Sequence, residues 1–170
     1  MSSKNIFTKI FSDDGYIINQ DLMEGNQYQY RGCPSSYNGC GWIAAYNLLH
    51  ANNINIYFDT VRLELGKMHS NNGWPTPEDM LEEYIKRKGL SPEKVTTDTI
   101  SIIDIANKYN SGIFQYNEDG TPHYVAFVKT SPNIFRFFNV GDYFTDKEMT
   151  MEKFARDHFI ANNSIYALFV

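Results

Sequence analysis

Asn38-Gly39-Cys40-Gly41-Trp42-Ile43-Ala44-Ala45-Tyr46-Asn47-Leu48-Leu49-His50 is the stretch whose reading decides the fold. Asn-Gly is a strong turn dipeptide. After Gly41 the apolar residues Trp42, Ala45, Leu48 and Leu49 share one helical face, and Ala44, Ala45, Leu48 and Leu49 are good helix formers. The pattern predicts a loop feeding a largely buried helix, with Cys40 at its first turn. Backbone N–H groups and the positive end of the helix dipole gather at such a position. Both favour the thiolate, which is the nucleophilic form of cysteine. Glycines on either side leave room for a carbonyl to approach the sulfur. The plain alternative is a buried cysteine acting as a small hydrophobe.

Outward from this helix, the preceding residues read as an irregular entry. Tyr16-Ile17-Ile18 is extended-prone after Asp14-Gly15, and Gln27 to Tyr30 alternates polar with aromatic as a half-buried strand does. The central helix ends near Ala51-Asn52-Asn53. Phe58, Val61, Leu65 and Met68 keep the spacing of a second helix, broken by His69 to Gly73. A third follows, with Thr76 as N-cap, Pro77 at the first helical position and Gly89 as its stop. Ser91 to Thr97 reads as a connector and Thr99 to Tyr109 as a short helix.

From Ser111 the period switches from helix to strand. Ile113 to Tyr116, His123 to Val128 and Ile134 to Val140 read as strands joined by the turns Asn117 to Gly120 and Ser131 to Asn133. Met151 to Phe159 reads as a last helix and Ser164 to Val170 as a closing strand. Helices first and an antiparallel sheet second is an α+β order. The 170 residues suit one domain, 1–170, with a real core.

Composition narrows the function classes. The net charge is −5 with no basic run, which argues against nucleic acid or an anionic membrane as partner. No apolar segment approaches the length of a membrane span. The first residues lack the apolar core of a signal peptide, so a cytoplasmic location is expected, with secretion as an effector left open. The histidines His50, His69, His123 and His158 show no ligand spacing to Cys33 or Cys40, so neither a metal nor any other cofactor is expected. The acidic residues Glu78, Asp79, Glu82 and Glu83 read as the solvated face of the third helix. Tyr28, Tyr30, Tyr37 and Trp74 are candidates to line a groove.

Three residues are candidates for chemistry. Cys40 is the nucleophile. His123 opens a strand after Gly120-Thr121-Pro122, where an imidazole can take a proton from a thiol. Asn139 lies on the next strand, where its amide oxygen can accept the imidazole N–H and fix the ring. Asp142 competes with Asn139 for that role. Cys33 is a candidate for a reversible disulfide with Cys40.

On Asn38 to Asn47, Thr121 to Phe127 and Phe137 to Val140, the chain resembles the papain-like cysteine peptidases. Within them it looks closest to the compact bacterial branch that includes the bacteriocin leader-processing peptidases. The resemblance runs from Gln27 to Asp142. It implies a papain-like fold, with N-terminal helices and a central nucleophile helix packed on a C-terminal antiparallel sheet. It also implies hydrolysis of peptide or isopeptide bonds in a peptide or protein substrate. Cys40 would attack, His123 would serve as base and then acid, and Asn139 would orient it. Relatives place an oxyanion-hole glutamine a few residues before the cysteine, where this chain has Cys33, Pro34 and Ser35. Gln29 is the candidate for that place. Two alternatives stay open: a papain-fold binding module without catalysis, and a thiol acyltransferase or deamidase acting as an effector.

Overall fold

The computed structural model describes residues 9–68, 72–118, 120–141, 145–160 and 163–170. Asp142, Asp119, His69 and the first eight residues, which figure in the reading above, lie outside the described residues. In chain order the elements are β1 (Gln29–Tyr30), β2 (Cys33–Pro34), α1 (Ser35–Asn38), α2 (Cys40–Ala51), α3 (Phe58–Lys67) and α4 (Glu78–Arg87). They continue as β3 (Glu93–Thr97), α5 (Thr99–Ala106), β4 (Ser111–Glu118), β5 (Thr121–Ser131), β6 (Ile134–Val140), β7 (Thr145–Met149), α6 (Met151–His158) and β8 (Ile165–Phe169). Strands β1 and β2 form a small hairpin. The other six form one antiparallel sheet in the order β3-β8-β4-β5-β6-β7. The architecture is α+β.

Every residue of α2 from Cys40 to Leu49 is buried, as expected of a helix that is apolar all round. The polar exception, Asn47, is satisfied like a strand residue. Its Oδ1 accepts from the Ile17 N–H at 2.9 Å and its Nδ2 donates to the Ile17 carbonyl at 2.8 Å. That pairing ties the entry segment to the central helix. A second tie follows: Tyr16 stacks on Phe138 with ring centroids 4.0 Å apart, and Arg136 bonds both Asp14 and Asp146.

Helix α4 follows its sequence signals at its C-terminal end and departs from them at its start. Met80, Leu81, Tyr84 and Ile85 are buried, while Glu82–Lys86 and Glu83–Arg87 pair across one turn on the outer face. Glu83 is thus exposed and paired within the helix, while Glu82, with 17% of its side chain exposed, also pairs with Lys94. Gly89, at φ +91°, ends the helix in the left-handed conformation that glycine adopts without cost. At the start, Thr76 is not the N-cap. Pro77 holds that place, and the Thr76 hydroxyl is committed elsewhere.

One further expectation is corrected. Ser91 to Thr97 is not a plain connector, because Glu93–Thr97 pairs with β8 as an edge strand. The sheet is covered on both faces, which the sequence reading does not address. Ile113, Tyr124, Ala126, Phe138, Tyr166 and Leu168 pack with α2, α3 and α4 in one core. Phe114, Tyr116, Val125, Phe127, Phe137 and Phe169 pack with α5 and α6 in a second. Phe137 and Phe154 stack with centroids 3.8 Å apart in that second core. Burial on both faces explains why β8 is buried at every residue instead of alternating.

Candidate functional site

The region around Cys40 is built from the β1–β2 hairpin, α1 and the loop at 72–77. Arg31 and Gly32 form the hairpin turn, both at positive φ, as a two-residue turn of this twist demands. Arginine at φ +50° is uncommon. It is held there by its guanidinium, which donates to the Trp74 carbonyl at 3.1 Å, the Pro75 carbonyl at 2.7 Å and Asn72 Oδ1 at 3.0 Å. The Gly73 N–H returns a bond to the Arg31 carbonyl at 2.8 Å. Buried Asn38 adds bonds from its Nδ2 to the Tyr30 and Gly73 carbonyls. The 72–77 loop is thereby laid against the start of α2.

Thr76 is the centre of this docking. Its hydroxyl lies 2.7 Å from Tyr30 Oη, and its carbonyl accepts from Tyr124 Oη at 3.0 Å. Gly41 is glycine because Thr76 sits over it: a Cβ there would lie 2.4 Å from Thr76 Oγ1. A Cβ at Gly39 would lie 2.4 Å from the Ser35 carbonyl oxygen. The space beside Cys40 that the flanking glycines were expected to leave open to a substrate is filled by the chain itself. Cys40 is 5% exposed and belongs to the α2-side core.

Cys40 is the first residue of α2, as expected, but the segment that leads into it is helical and not a loop. Gly39 is itself in the right-handed helical region, its N–H bonds the Ser35 carbonyl, and the Ile43 N–H bonds the Gly39 carbonyl. Helix α1 thus runs almost directly into α2, and Cys40 stands one turn inside a helical run. Burial pushes the Tyr30 phenol up to about 12 and the Tyr124 phenol higher still, so both stay neutral.

His123 is elsewhere. Strand β5 alternates, and its residues Tyr124 and Ala126 face α2 while Val125 and Phe127 face α5 and α6. His123 has the parity of the second set. Its register partner is Tyr116, whose ring it meets edge-on at 6.0 Å in the α6-side core. The sheet therefore separates His123 from Cys40. Burial lowers the His123 pKa to about 4, with the Asn139 carbonyl opposing the shift and His158 adding to it. The ring is neutral near pH 7.

Asn139 does meet His123, but through its backbone. His123 Nε2 donates to the Asn139 main-chain carbonyl at 2.8 Å. The Asn139 side chain turns to Gln20. Its Oδ1 accepts from the Gln20 N–H at 2.9 Å and its Nδ2 donates to Gln20 Oε1 at 2.7 Å. Gln20 Nε2 in turn donates to the Ser36 carbonyl at 3.1 Å. Asn139 sits at φ +59°, where the β6–β7 register shifts, and asparagine tolerates that conformation better than most side chains. Gln29 is exposed on β1, with its amide on Asn26 Oδ1 and its carbonyl accepting from Arg62, so it does not reach Cys40. The glutamine that is buried in this region is Gln20, and no local period or spacing marks it in the sequence.

Neither Cys33 nor Cys40 is joined in a disulfide. Cys33 is half-buried against Gly73. Among the described residues no cluster of three His, Cys, Asp or Glu side chains is placed to hold a metal, and no helix is long and apolar enough to cross a membrane. Two large side chains stand out at the surface here: Tyr37 on α1 is 76% exposed and Trp74 is 69% exposed. The residues next to them in the chain are joined: the Asn38 side chain donates to the Gly73 carbonyl. The sequence matches no protein-family model and no curated protein.

Proposed function

We propose that this chain is a protein-binding module with a papain-like layout, engaging a peptide segment of its partner through Tyr37 and Trp74. The observation that carries the reading is the separation of Cys40 from His123 by the sheet. A nucleophile and its base must lie within hydrogen-bond reach, and these two side chains face different cores. The exposed aromatic pair supplies what a binding site needs instead. Tyrosine and tryptophan are enriched among residues that dominate interface energies, and the two segments that carry these residues are joined by the hydrogen bond from the Asn38 side chain to the Gly73 carbonyl. The bonds of Arg31, Asn38 and Gly73 fix the backbone at this place, which lowers the ordering cost of binding.

The test is selection of displayed random peptides on the immobilised protein, followed by synthesis and titration of the enriched sequences. The reading predicts peptides whose binding changes Trp74 fluorescence and weakens at least tenfold in Trp74→Ala and Tyr37→Ala. Peptides that bind both variants as tightly as the parent would contradict it.

A second reading keeps Cys40 as the nucleophile of a thiol hydrolase acting on peptide or isopeptide bonds. Its support is the place of Cys40 near the start of a buried helix, in the order Cys, His, Asn that papain-like peptidases share. It requires a rearrangement that brings a base to the α2 face. Loss of a detected peptidase or acyl-transfer activity in Cys40→Ser, with fold retained, would favour this reading over the binding module.

A further inference from the structure

Far from Cys40, helices α5 and α6 leave a groove of about 410 Å³ between them. Ile103, Ala155 and Phe159 line it, and Ile100 projects beside them at 76% exposure. An isoleucine so exposed on an eight-residue helix leaves apolar surface in water. The wall carries a second uncompensated group: the Thr99 hydroxyl is buried there with no hydrogen-bond partner. Such groups are uncommon in folded proteins.

The charges at the rim are not balanced. Asp98 accepts from the Ile100 and Ser101 N–H groups and the Ser101 hydroxyl, all uncharged donors. Glu152 accepts from the Asn107 amide, also uncharged. Lys153 pairs with Asp157, and so does Arg156, at 3.5 Å, although Arg156 is itself one of the residues that line the groove. The groove thus combines an apolar floor with two carboxylates that form no ion pair with a described cation.

We propose that the α5–α6 groove is a docking site for a basic amphipathic segment of a partner protein. An aliphatic side chain of that segment seats against Ile100, Ile103 and Phe159, and its Lys or Arg side chains meet Asp98 and Glu152. Charge selects this occupant over an anionic lipid surface, which the same carboxylates would repel.

The probes are two synthetic 14-residue amphipathic helices, one of Leu and Lys and one with Glu in place of each Lys, titrated into protein with labelled isoleucine methyls. The proposal predicts saturable shifts at Ile100 and Ile103 with the Lys peptide alone. It also predicts affinity falling at least tenfold in the Asp98→Asn/Glu152→Gln double variant and at least fivefold in Ile100→Gln. All three positions are at the surface, and asparagine retains the helix cap. Equal binding of both peptides, shifts confined to other isoleucines, or parental affinity in the variants would overturn it. So would shifts at Ile100 that depend on protein concentration without peptide, which would assign the groove to a second copy.

Discussion

His123 Nε2 donates to the main-chain carbonyl of Asn139 at 2.8 Å, while the Asn139 side chain is bonded at both ends to Gln20. One residue thus serves both sides of the sheet. It holds an imidazole in the α6-side core and fastens the entry segment beside α1. The arrangement is structural in character, and its consequences can be measured.

The first is a pH dependence of stability. The His123 pKa is near 6.5 when unfolded and lowered to about 4 when folded, because burial disfavours the imidazolium. Between these values the unfolded state binds more protons, so unfolding becomes easier as pH falls. The His123 contribution is present in full above about pH 6.5 and is lost progressively as pH falls towards the folded value. Urea denaturation of the parent should show a loss of about 2–3 kcal/mol between pH 7.5 and pH 4.5 from this group. His123→Gln, which keeps a donor, should flatten that dependence by the same amount. An unchanged dependence in the variant would show that His123 is not the group responsible.

Asn139 carries two requirements that substitutions separate. Asn139→Ala loses both bonds to Gln20 and must still hold φ +59°. Asn139→Gly loses the bonds and relaxes the backbone. Left-handed backbone costs a residue with a Cβ about 1–2 kcal/mol. Alanine should therefore be the more damaging of the two by about 1 kcal/mol in chemical denaturation. The reverse order would mean that the strain is not there.

Gly41 tests the docking of the 72–77 loop. In a helix interior, alanine is favoured over glycine by about 1 kcal/mol. Here the added methyl meets Thr76 Oγ1 at 2.4 Å. Gly41→Ala should lower stability by about 1–3 kcal/mol despite the better propensity. A more stable Gly41→Ala protein would show that Thr76 does not lie over α2.

Much of the fold is legible in the sequence, for identifiable reasons. Helix α2 announces itself through its apolar residues, and α4 through its amphipathic period and Gly89. The hairpins of β4, β5 and β6 follow from their turns. What is not legible is the face to which a strand turns. His123-Tyr124-Val125-Ala126-Phe127 is continuously buried, so it has no polar–apolar alternation to indicate which residues meet α2. Placing His123 beside Cys40 assumes one parity, and the structure has the other. The edge strand at 93–97 escapes notice because its side chains are largely polar and exposed. Gln20 escapes because its partners, Ser36 and Asn139, lie 16 and 119 residues away. Of the proposed catalytic set, the His123–Asn139 contact is present through a backbone atom that side-chain reasoning does not consider.

The most direct test of the central claim is the rate of Cys40 alkylation by iodoacetamide against pH, read by mass spectrometry with Cys33 as internal control. The parent and His123→Gln are compared under folded conditions. With the sheet between the two residues, Cys40 should react slowly, should gain rate only towards the ordinary thiol range near about 8.5 or above, and should behave alike in both proteins. Rapid alkylation of Cys40 well below that range, abolished by His123→Gln, would demonstrate a thiolate–imidazolium pair. It would contradict the separation on which the binding-module reading rests.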